Sequence, residues 1–171
     1  MYAIREYEDA IDDCTSGDLT ANAGSSGPVH AWDEGVAFFV GSLINPEDVT
    51  SATFASLDNK GKGPYTLGNK RCKNFKTCGP SGTDLYGEAK ANSDIIALAN
   101  QGQYKLLIGD CAAVVPIKNQ IVQKMTVPLV QGALRYAYKV SVLSDTSAKS
   151  KAEGAIFAAA VLPQVHACSA T

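Results

Sequence analysis

Apolar residues recur along most of this chain at spacings of three, four and seven, and alternating runs are few, so the pattern predicts helices almost throughout. Ile4, Tyr7 and Ile11 mark a first helix over residues 2–13. A small-residue loop follows. Gly27-Pro28 then opens a second helix running to about Leu43, because proline is tolerated at a first helical position. Its aromatic stripe, Trp32, Phe38 and Phe39, reads as core. Residues 45–62 hold Pro46, Asp48, Asn59 and Gly61 with weak periodicity and read as a long surface excursion. Residues 65–71 supply one or two helical turns leading into a cysteine loop. A longer helix, capped by Thr83 or Asp84, buries Ile95, Ile96, Leu98 and Ala99 and stops at Gly102.

Asp110 caps the next helix, residues 111–125, with Val114, Val115, Ile117, Ile121 and Val122 inward and Pro116 forcing a kink or a late start. Thr126-Val127-Pro128 predicts a break before another helix over 129–143. The polar segment 144–151 leads to a last helix over 152–167, which Pro163 should bend. No hairpin turn separates alternating runs, and no internal repeat is visible. The expectation is an all-α fold: a single-domain helical bundle of about five to seven helices over residues 1–171, with a disulfide-containing loop.

Composition narrows the partners. At 171 residues, 46% hydrophobic and 19% charged, the chain is long and apolar enough for a real core. A formal net charge of −2 argues against nucleic acid or an anionic membrane surface as the main partner. The longest apolar stretch, 154–163, is too short to span a bilayer, so no membrane insertion is expected. Residues 1–6 lack the long apolar segment of a secretory signal, and Met1 reads as either an artificial start or a domain boundary inside a longer precursor. Among five cysteines, Cys72 and Cys78 lie in a polar, turn-rich segment suited to a short disulfide loop, which points to an oxidising compartment. The odd count leaves one thiol free or paired with a cysteine beyond Thr171; five independent buried thiols are the alternative.

Several chemistries have no motif here: HExxH, CxxC and GxSxG are absent, and Gly63 to Lys70 misses the Gly-Lys-Ser/Thr ending of a phosphate loop. No Glu has a His three residues later, against an oxygen-activating di-iron bundle. Only His30 and His166 exist. On the second helix Glu34 lies about 40° round the axis from His30, and Asp33 about 60° the other way, so one face offers one nitrogen and one or two oxygens. Carboxylates on an otherwise buried helix need a compensating partner, either a metal ion or a cation such as Arg135 from the polar stripe Gln131, Arg135 and Tyr138. The plainer alternative is a first-turn carboxylate beside an ordinary surface histidine. Glu153 and His166 share the last helix but stand about 140° apart on it unless Pro163 rotates the final turns. Taken alone, His166 reads as a core or capping residue, and Tyr136 and Tyr138 as packing residues.

Three blocks, residues 30–43, 70–79 and 152–168, with 126–138 beside them, resemble the algal iron-assimilation family, the low-iron-induced and high-CO2-induced proteins of the periplasmic space. The first block is also similar to the His-x-x-Glu element of imelysin-like bacterial iron proteins, although here Glu34 follows His30 by four residues and only Asp33 by three. The resemblance implies a non-enzymatic protein, secreted to the periplasmic space or cell surface, that binds ferric or ferrous iron and hands it to a membrane iron transporter or reductase. It also implies a chain truncated after Cys168, which would account for the odd cysteine. The expected site has His30 and Glu34 as ligands, Asp33 as ligand or supporting partner, Glu153 arriving from the last helix, and His166 as a further candidate. Hard ferric iron suits such carboxylate and imidazole donors. A structural or adhesive surface module without metal is a second class, and a role in inorganic-carbon handling is a third, suggested only by the resembled family's CO2-linked expression.

Overall fold

The computed structural model describes residues 2–17, 26–41 and 63–168, with backbone alone at 167 and 168. The expected surface excursion at 45–62 lies outside these residues. Among the described residues six helices follow in order: α1 (Tyr2–Ser16), α2 (Pro28–Val40), α3 (Pro64–Phe75), α4 (Lys90–Leu107), α5 (Cys111–Ser141) and α6 (Ala148–Cys168). Among the described residues the only strand-like pairing is a pair of isolated bridges from Cys78 to Asp84 and to Ala89. The fold is therefore all-α.

The spine is α5, whose 31 residues span roughly 46 Å. Its first half joins α1, α2 and α4 around the main core, where Val114 and Ile121 meet Tyr7, Trp32, Ile95 and Leu106. Its second half carries α6 through a stacked Tyr136–Phe157 pair at 5.8 Å. The expected break at Pro128 is absent. Pro128 lacks the N–H that would bond to the Lys124 carbonyl, a defect worth about 3 kcal/mol in an isolated helix. Here Pro128, Gln131 and Gly132 are all buried, and that packing carries the helix through.

Several helix ends also differ from expectation: α3 runs on to Phe75 and α6 begins at Ala148, inside the segment expected to be a polar linker. The α4 start is at Lys90, not at Thr83 or Asp84, because residues 77–89 are held as a loop. Cys72 and Cys78 form the short disulfide, Cys78 and Asp84 exchange backbone bonds of 3.1 and 2.9 Å, and Gly79 N donates to Glu88 O. Asn69 Oδ1, buried in α3, accepts from Ala89 N at 2.8 Å and from Asn92 Nδ2 at 2.9 Å, so α3 supplies the capping group that α4 lacks locally. Nor does Gly102 end α4. The Trp32 ring lies against it, and a Cβ built there would fall 2.1 Å from Trp32 Cζ2. Gly102→Ala should destabilise by about 1–3 kcal/mol, the overpacking cost exceeding the helix-propensity gain. Urea unfolding would show it as a lower midpoint at unchanged slope.

Phe38, expected in the core, is 50% exposed and touches Tyr2. The buried face of α2 runs through Pro28, Ala31, Trp32, Gly35 and Phe39, and Phe38 falls off that stripe. Val115 is likewise exposed. The second disulfide, Cys14–Cys111, ties the end of α1 to the start of α5. Two disulfides are consistent with a protein that matures in an oxidising compartment. Among the described residues no helix is long and apolar enough to cross a membrane.

The turn from α5 to α6 is clamped by Asp145. Its carboxylate accepts from Lys139 Nζ at 2.9 Å, Ser150 Oγ at 2.7 Å and Ser147 N at 3.2 Å. The Lys139 bond, then the serine bonds, hold the Asp145 pKa far below the usual carboxylate range. A carboxyl depressed by folding adds stability above its unfolded pKa, near 4, and loses it as pH falls toward the folded value. Asp145→Asn should therefore lower stability at neutral pH by a margin that narrows below about pH 4. A pH-independent margin in thermal melts would count against the clamp.

Candidate metal centre

The first turn of α2 is built for entry at a fixed angle. Gly27 takes φ +94°, a conformation that favours glycine, and accepts Ala31 N at 3.1 Å; Pro28 fills the first helical position. With Trp32 and Phe39 locked inward, His30, Asp33 and Glu34 emerge on the outer side. His30 Nε2 lies 3.2 Å from Glu34 Oε1, with side chains 41% and 49% exposed. Asp33 does not join them in a shared contact: its Oδ1 accepts from Gln103 Nε2 of α4 at 2.8 Å. Gln103 was not foreseen because α4 was expected to stop one residue earlier.

The other expected ligands lie elsewhere. Glu153 is on α6, which packs on α5, and its Oε1 stands 4.0 Å from Lys149 Nζ. Its charge also acts on Arg71 of α3, where it opposes the burial and the Arg135 charge that together pull the Arg71 pKa down. Glu153 thus serves as counter-charge to the half-buried Arg71 guanidinium, and His166 is exposed near the end of α6. Arg135 does not reach the α2 carboxylates. With the Asn74 amide oriented to satisfy both its ends, Arg135 Nη1 donates to Asn74 at 3.1 Å. Among the described residues no three His, Cys, Asp or Glu side chains come together to hold an ion.

The structure therefore brings together His30 and Glu34, keeps Asp33 adjacent, and leaves Glu153 and His166 apart. Chemically the pair is one nitrogen and one oxygen on one helix face, each side chain partly open to solvent. An exposed His–Glu pair one turn apart is worth only about 0.2–0.5 kcal/mol, so parting it to admit an ion costs little. No match to this chain was found among protein-family models, curated proteins or solved structures.

Proposed function

We infer that this chain is an extracytoplasmic iron-binding protein that assists iron capture, with His30 and Glu34 as its two protein ligands and Asp33 beside them. The observation that carries the reading is the 3.2 Å separation of His30 Nε2 and Glu34 Oε1. Two ligands at ~2.1 Å from one ion, in octahedral or tetrahedral arrangement, stand roughly 3.0–3.4 Å apart, so the pair already has the bite of neighbouring ligands. Water or a small anion completes the shell, and such an open site exchanges its ion readily, which suits capture and hand-over to a membrane transporter or reductase. The disulfides support a location outside the cytosol, in the periplasmic space or at the cell surface. Glu153 and His166 are not part of the proposed set.

The test is iron affinity in His30→Ala and Glu34→Ala, each expected to weaken binding at least tenfold with unchanged helical content. A neutral imidazole ligates and an imidazolium does not, so affinity should also fall as the medium is taken from about pH 7 to about pH 5. Unchanged affinity in both variants would defeat the assignment. So would a flat pH response, as far as the imidazole is concerned.

A further inference from the structure

We propose that the cleft between α3, the middle of α5 and the end of α6 is a binding site for an amphipathic monoanion, a carboxylate on an aliphatic chain. The cleft encloses about 680 Å³, within the range of small-molecule sites. Its body is apolar: Leu67 from α3, Val122, Met125 and Leu129 from α5, and Ile4 reaching in from α1. The helix-interior prolines Pro128 and Pro163 both form part of the same wall. Thr66 belongs to that wall too, almost wholly buried and with its hydroxyl unpartnered.

The charge is one-sided. Lys70 is the single charged residue among the described wall residues, and none of those residues is Asp or Glu. Its side chain is exposed, and no carboxylate of the described residues pairs with it. An exposed ammonium at the rim of an apolar cleft, with no carboxylate partner among the described residues, selects a ligand with a negative head and an apolar tail. The tail displaces water from Leu67, Met125 and Leu129, and the head meets Lys70 in a charge-assisted hydrogen bond. A neutral alcohol gains only the first contribution, and a cationic amphiphile is repelled.

Calorimetric titration of the full chain with decanoate, decanol and decyltrimethylammonium tests this. Decanoate should bind saturably, about three- to tenfold tighter than decanol, with the cation undetected. Lys70→Gln should remove that preference while leaving decanol affinity unchanged, and Lys70→Arg should restore it. Leu67→Trp, which fills the cleft, should abolish binding of both, with circular dichroism confirming the fold. Equal affinity for decanoate and decanol, or a preference that survives Lys70→Gln, would overturn the anion assignment. No saturable binding, or binding that persists in Leu67→Trp, would overturn the site.

Discussion

Replacing Cys14 and Cys111 together by alanine is expected to lower the unfolding free energy by about 4–5 kcal/mol, because their sequence separation is 97. Cross-linking a loop of that length removes far more freedom from the unfolded chain than closing the Cys72–Cys78 loop, whose separation is 6 and whose expected contribution is about 2 kcal/mol. The native contacts point the same way. Cys14 is buried in the core at the end of α1, so the bridge also fixes the α1–α5 junction on which α2 rests. A domain of this size has only about 5–15 kcal/mol in total, and the doubly substituted chain should approach the edge of folding at physiological temperature. Chemical unfolding of the two pairwise variants compares the bridges directly. A Cys72/Cys78 variant that loses more than the Cys14/Cys111 variant would contradict the loop-length argument.

Trp32→Ala should cost about 3–5 kcal/mol, the upper range for a core substitution. The ring is fully buried, packs on Tyr7 at 4.5 Å, and lies over the bare backbone of Gly102. Its Nε1 donates to Ala99 O at 2.9 Å, so one side chain links α1, α2 and α4. Little can collapse into the space, since the neighbouring surface of α4 has no side chain at Gly102. The deficit should appear as a shifted denaturation midpoint at unchanged slope, and a loss below about 1 kcal/mol would show that the site relaxes. Trp32→Phe should lose less, because most of the ring volume stays. Because α2 bears His30 and Glu34 on its outer side, the same substitution should also loosen the His30–Glu34 pair.

Local patterns in the chain were enough for much of this architecture. The all-helical class, the first two helices and the 72–78 disulfide loop follow from periodicity, Gly27-Pro28 and the turn-rich cysteine segment. What escaped were effects that no local window contains. The Cys14–Cys111 pairing joins positions nearly a hundred residues apart, and connectivity among several cysteines is not encoded in spacing. Pro128 and Gly102 are helix breakers by propensity, yet buried packing on α6 and Trp32 overrides both. Asn69 caps α4 from α3, a donor–acceptor match invisible in the sequence of α4 itself.

Of the candidate site, only the His30–Glu34 juxtaposition was legible. One-turn spacing placed His30 and Glu34 side by side, and the structure has them so. Helical angle could not say where α6 would lie, and Glu153 proves to face cations on α3 and its own helix instead. The expected neutralisation of the α2 carboxylates by Arg135 fails for the same tertiary reason, since Arg135 sits beside Arg71 and Asn74.

Equilibrium dialysis of the metal-free full chain against ferric and ferrous iron, with zinc as competitor and elemental analysis of what is retained, tests the proposed iron site most directly. Saturation at a single iron per chain, lost in Glu34→Ala, is the predicted result. Weak, non-stoichiometric uptake that Glu34→Ala leaves unchanged would contradict it, and His30 and Glu34 would then be ordinary helix residues of a metal-free surface module.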